Sequence, residues 1–192
     1  MKHLKSFMLT WLALGIAGST LASSLAAQEK EMDKKGGNMT ILDNSIKIDA
    51  SPETVWTVLA NLELQEKYDP GEVRSQVISK ERTGIGAIRQ CDLKPRGWLR
   101  ERVIEWKPNE ALGFELTECT LPVKKLMYSY TLRPDGNGTL VTQRMEYMLK
   151  FGPIGKLMNI LMVRKKWDKG IKGFFAGLKQ YVENNERLQG KQ

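Results

Sequence analysis

The stretch LMYSYTLRPDGNGTLVTQRMEYMLKFGP, residues 126–153, decides how the chain folds. Leu126 to Arg133 and Thr139 to Lys150 alternate apolar and polar side chains with a period of two and are rich in β-branched and aromatic residues, as half-buried strands are. Between them Pro134-Asp135-Gly136-Asn137-Gly138 is turn chemistry, so the two strands form an antiparallel hairpin. Gly152-Pro153 then ends the strand pattern and opens a helix, proline being tolerated at a first helical position. The helical pattern runs to about Glu186, with Ile160, Leu161, Trp167, Ile171, Phe174, Phe175, Leu178, Tyr181 and Val182 on one stripe.

Working upstream, four more strands are expected over Val73–Lys80, Ala87–Leu93, Trp98–Trp106 and Ala111–Glu118. Thr83-Gly84, Pro95-Arg96-Gly97, Lys107-Pro108-Asn109 and Leu121-Pro122 punctuate them. Before these, Met39 to Asp49 reads as a first strand. Ser51-Pro52-Glu53 reads as a helix start, with Ser51 the N-cap, and Val55, Trp56, Leu59 and Leu62 follow at helical spacing. A second short helix is expected over Glu63–Tyr68. One strand, two short helices, six strands and a long helix make an α+β arrangement, a seven-stranded antiparallel sheet with a long amphipathic C-terminal helix; where such a sheet curls around the helix, it leaves a space between them.

The 192 residues carry 30 Lys/Arg and 22 Asp/Glu, a formal charge of +8. Met1 to Ala26 has the three parts of a secretory leader: Lys2 and Lys5, an apolar run Phe7–Gly18, and the small residues Ser24 and Ala26 before a cleavage point. Residues 27–38 read as a solvated linker, 39–188 as one domain and 189–192 as a tail. An exported, periplasmic protein is expected, so the sequons at Asn38 and Asn137 are discounted. The single histidine, His3, lies in the leader. Its removal excludes Ser-His-Asp and Cys-His nucleophilic sites, histidine metal ligands and a histidine general base. Two cysteines, Cys91 and Cys119, are too few for a zinc cluster, and neither metal nor cofactor is expected. They belong to strands separated by one other, about 10 Å apart if level, and a disulfide needs Cα atoms within about 7 Å. Free, buried thiols are expected.

The order and spacing of several segments resemble the START-like, polyketide cyclase/dehydrase and lipid-transport superfamily (SRPBCC), with its helix-grip fold. The resemblance is carried by Ile48-Asp49-Ala50-Ser51-Pro52-Glu53-Thr54-Val55-Trp56, Tyr68-Asp69-Pro70 and Gly84-Ile85-Gly86-Ala87-Ile88-Arg89-Gln90-Cys91. Glu101-Arg102-Val103-Ile104-Glu105-Trp106-Lys107-Pro108 and Phe151-Gly152-Pro153-Ile154-Gly155 complete it. It implies a cavity for an apolar or amphipathic small molecule, and a scaffold that hosts carriers and cyclases alike.

Strand alternation assigns the inward side chains. Arg100 and Arg102 suit water, so Glu101 and Val103 face the hollow, and Arg89 and Cys91 face it from the neighbouring strand. Arg89 and Glu101 then stand opposite one another, as an anchor for a ligand carbonyl or carboxylate, as a structural ion pair or as a surface pair. Phe114, Leu116, Tyr128, Tyr130, Gln143, Met145 and Tyr147 on the strand side, with Trp167, Ile171 and Phe175 on the helix side, line the cavity or, taken singly, make ordinary core.

Positive charge concentrates at the C-terminal end: Lys150 to Gln192 holds ten Lys/Arg against three Asp/Glu. Ile154 to Val163 is apolar nearly all round and Arg164-Lys165-Lys166-Trp167 follows at once. With Lys156 and Lys169 these basic residues fit a membrane surface or an acidic periplasmic protein, or make a solvated basic face on a core helix. Nucleic acid is not an expected partner, since export removes it and no recognised motif is present. The expectation is a non-catalytic carrier of a hydrophobic molecule or lipid. The alternatives are an accessory protein of a periplasmic oxidation system of the methanol-oxidation type, and a cyclase or dehydratase using Glu101, Arg89 or a tyrosine.

Overall fold

The computed structural model describes residues 39–189. The expected leader and linker, and the last residues of the tail, lie outside them. Strand β1 (Thr40–Ile48) leads into helix α1 (Pro52–Leu59), capped by Ser51, whose Oγ accepts from the Thr54 amide. The expected helix over Glu63–Tyr68 is a single 3₁₀ turn at Gln65–Lys67, because Asp69-Pro70-Gly71 cuts it short. Six strands follow: β2 (Glu72–Val77), β3 (Ile88–Leu93), β4 (Trp98–Lys107), β5 (Ala111–Cys119), β6 (Val123–Asp135) and β7 (Gly138–Leu149). β2 ends three residues before the expected boundary. Beyond it Arg82 caps the Val77 carbonyl and the chain turns through Gly84 and Gly86, both at positive φ.

All neighbouring strands are antiparallel, in the order β1-β7-β6-β5-β4-β3-β2. The β6–β7 hairpin closes over Gly136-Asn137, with Gly136 at φ 61° as a tight hairpin turn requires. The C-terminal helix is continuous but not uniform: α2 (Gly152–Met158), a π-helical turn (Asn159–Val163), then α3 (Arg164–Gln189). Ile171, Phe174, Phe175, Leu178 and Val182 of α3 are buried on the sheet with Ile48, Leu112, Val141 and Tyr147. The rings of Tyr130 and Phe174 stack at 5.4 Å between the two layers. This is the helix-grip arrangement.

Candidate functional site: a cleft between sheet and helix

A cleft of about 550 Å³ lies between the sheet and the first half of α3. Leu93 and Leu99 from β3 and β4, Leu126 from β6, Met145 from β7 and Ile171 and Phe174 from α3 form much of its apolar wall. Polar groups enter at three places. Gln65, Asp69 and Glu72 line one side, Tyr130 and Gln143 another, and Lys94, Lys166 and Lys169 bring positive charge.

Seven of the fourteen residues assigned to the cavity line this cleft: Glu101, Tyr128, Tyr130, Gln143, Met145, Trp167 and Ile171. The other seven are taken up in packing away from it. Arg89 is 1% exposed. Its Nε donates to Glu101 Oε1 at 2.6 Å, Nη1 reaches the Leu62 carbonyl at 3.4 Å, and Nη2 donates to Tyr128 Oη at 3.2 Å. Tyr128 in turn donates to the same Glu101 oxygen at 2.6 Å. Phe114 stacks on Tyr128 and lies under the Arg89 guanidinium, 4.6 Å from its ring centroid. Of the two roles open to the Arg89–Glu101 pair, the geometry is that of the structural one, since the guanidinium spends its donors inside the protein.

Val103 is buried, and Leu116 is half-buried against the same core. Phe175 packs on Phe174 and Tyr130. Tyr147 donates to Asn159 Oδ1 at 2.5 Å and its ring meets Trp167 at 4.5 Å. Cys91 is buried beside Ser75 and burial pushes its thiol up, away from the reactive thiolate. Cys119 is free as expected but only half-buried, a correction that follows from its place at the end of β5. The two cysteines pair with the same residue, Leu99, from opposite sides, so one full strand separates them.

Glu72 escapes the sequence reading. It is 5% exposed, its Oε1 accepts from Gln65 Nε2 at 2.7 Å, and Oε2 has no hydrogen-bond partner. Burial pushes its carboxyl up to about 7 against the pull of Arg89, with Asp69 and Glu101 adding to the rise. Asp69 is raised by burial as well. Gln143 donates to Tyr130 Oη at 3.0 Å across the β6–β7 ladder while its Oε1 stays unpartnered. The cleft is thus an apolar space bordered by a carboxyl that titrates near neutrality and an unpaired amide oxygen. Among the described residues no group of three metal-ligating side chains converges.

The basic residues Lys156, Arg164, Lys165, Lys166 and Lys169 are all exposed. Lys166 and Lys169 belong to the cleft lining, and the other three do not.

A seven-stranded antiparallel sheet gripping a C-terminal helix, with an apolar cleft between them, defines a START-like protein. The chain belongs to the polyketide cyclase / dehydrase and lipid transport family, whose model matches residues 39–183. Solved structures with this fold include the Zhui aromatase/cyclase from a Streptomyces species, at 12% identity and TM-score 0.68 over 80% of this chain and 99% of that one. A Thermus thermophilus protein matches at 21% identity and TM-score 0.66 over 76% and 99%. A START superfamily protein from Mycobacterium smegmatis matches at 16% and 0.64 over 75% and 97%. No curated protein matches the chain.

Proposed function

We propose that the protein is a non-catalytic carrier or sensor of a hydrophobic small molecule or lipid, bound in the cleft, and that it works in the periplasm after loss of Met1–Ala26. The observation that carries this reading is the cleft itself: about 550 Å³ of space bordered largely by leucine, methionine and aromatic side chains, within the range of small-molecule sites. Burying ten methylenes there is worth about 8 kcal/mol before the cost of association. Lys166 and Lys169 at the helix side suit an acidic headgroup. The closed set of bonds among Arg89, Glu101 and Tyr128 occupies the groups that a cyclase or dehydratase built on Glu101 or Arg89 would use, which supports binding over turnover by those residues.

The test is mass spectrometry of the organic extract of protein purified from cells, with cell fractionation to locate it. A lipid or isoprenoid in stoichiometric amount, released from a periplasmic pool, is the expected result. Clean apo-protein with no thermal shift against a lipid panel would overturn the carrier reading, and recovery from the cytoplasm would overturn the location.

A further inference from the structure

The turn of helix that precedes the cleft is unusually bare. Phe151, Ile154, Leu157, Ile160, Leu161 and Met162 are each between 58% and 70% exposed. They belong to the N-cap, α2 and the π-helical turn, where Met158 and Val163 are half-buried, and an average soluble surface does not gather six large apolar side chains in one dozen residues. Phe151 also holds a left-handed backbone, φ 73°, which a bulky side chain adopts only where the surroundings impose it. Ile160, Leu161 and Met162 are exposed in succession, so the exposed positions spread wider than a single stripe. A groove on a partner protein accepts a single stripe; a fluid apolar phase accepts the whole end of the helix.

Along the chain the tip carries charge of one sign, and the acid that follows, Asp168, is paired with Lys172 and lies near Arg164. From Tyr147 to Trp167 there are five Lys/Arg (Lys150, Lys156, Arg164, Lys165, Lys166) and no Asp or Glu. Lys150, Lys156, Arg164, Lys165 and Lys166 are all exposed. The tip is nonetheless fixed to the body: Asn159 accepts from Tyr147 Oη and donates to Thr40 Oγ1 at 2.7 Å, and Gly155 packs on the Lys150 carbonyl. It is a rigid apolar point inside a basic collar.

We propose that this tip, Phe151 to Met162, inserts into the headgroup region of an anionic phospholipid bilayer, with Lys156, Arg164 and Lys165 resting on the phosphates. The surface stands on its own observations and does not depend on what the cleft holds. Docking in this way sets Lys166, Trp167, Lys169 and Gly170 at the bilayer, and these four residues belong to the cleft lining. A lipid would then pass between membrane and cleft without crossing water. Among the described residues no helix is long and apolar enough to span a membrane, so the contact is peripheral.

The experiment uses the full chain with vesicles of phosphatidylcholine, pure or with one third phosphatidylglycerol, and a diazirine-bearing phospholipid whose attachment sites are mapped by mass spectrometry. Expected are flotation with the anionic vesicles only, label within residues 151–162, and partitioning that falls with salt. L157S/I160S/L161S should lower partitioning by more than about a hundredfold, and R164E/K165E by about thirtyfold or more. Both sets are exposed, so thermal melts should match the parent. Label confined to residues 1–26, variants that partition like the parent, or equal binding to pure phosphatidylcholine would each overturn the proposal. So would a dimer in gel filtration that the triple serine variant abolishes without any vesicle binding in the parent, which would make the tip a self-interface.

Discussion

Arg89 and Glu101 stand directly opposite one another on β3 and β4, joined by a 2.6 Å hydrogen bond, with their side chains 1% and 3% exposed. A buried pair of this kind is costly to break and often neutral to replace as a unit. Glu101→Gln should therefore destabilise the fold by about 3–5 kcal/mol, since it strands the guanidinium. The combination R89M/E101L should cost far less than the sum of its parts, because only the Tyr128 hydroxyl is left unpaired, at about 1–3 kcal/mol. Adding Tyr128→Phe should recover most of that. Urea unfolding of the single, double and triple variants, with Arg89→Met as the other single, checks the cycle, and additive losses would show that the pair is not the unit described.

Glu72 makes stability depend on pH in a particular direction. Its folded-state carboxyl is raised from 4.5 to about 7 by burial, so the folded chain holds this proton more tightly than the unfolded one. Its contribution is fully present below about pH 4.5 and is lost as pH rises through 7. The groups facing it are Asp69 and Glu101, which reinforce the rise, Arg89, which opposes it, and the Cys91 thiol. Glu72→Gln should be more stable than the parent at pH 8, by about 3 kcal/mol at most, with the difference vanishing near pH 4.5. Denaturant midpoints of both proteins across that range measure it; a constant difference would assign the pH dependence elsewhere.

Glu72 also shows where reading the sequence stops. Period-two alternation puts Arg89 against Glu101 as the register has them, and puts Tyr130 and Gln143 on one face without showing that they pair, which the register adds. It carries no information on depth along a strand, so it does not separate Phe114 and Val103, sealed in the core, from Tyr130 and Met145 at the cleft. Glu72 follows Asp69-Pro70-Gly71 and has the local pattern of a turn's end. Its burial comes from Gln65, seven residues back, and from Cys91 on the next strand, a tertiary arrangement with no local signature. Ile154 to Val163 is legible as apolar, but whether that surface is covered is decided by where the sheet ends.

Filling the cleft should weaken ligand uptake without harming the fold. Met145 on β7 is half-buried and borders the open space. Met145→Trp should lower the affinity for a fluorescent fatty acid by about tenfold or more, the added ring occupying volume a chain would need. Ile104→Trp is the control, since Ile104 is 40% exposed and does not belong to the cleft lining. Unchanged titration of the Met145 variant would place the binding site elsewhere.

Two glycines of α3 should respond to alanine in opposite ways. A methyl group at Gly177 would overlap the Tyr68 carbonyl oxygen and crowd its carbonyl carbon at 3.0 Å, both rigid backbone atoms. That contact lets the helix lie against the chain between the 3₁₀ turn and β2, beside the tilted ring contacts of Tyr68 with Phe174 and Tyr181. Gly177→Ala must push the helix off this support, and a loss of about 2–3 kcal/mol is expected, the upper part of the range for overpacked sites. A methyl at Gly170, about two turns earlier on the cleft side, meets nothing within 4 Å. There the substitution only removes unfolded-state freedom, so Gly170→Ala should gain about 1 kcal/mol. Thermal melts of the two variants should therefore move to either side of the parent. If Gly177→Ala melted with the parent, the helix would not rest on the Tyr68 backbone, and the cleft would owe its shape to something other than that contact.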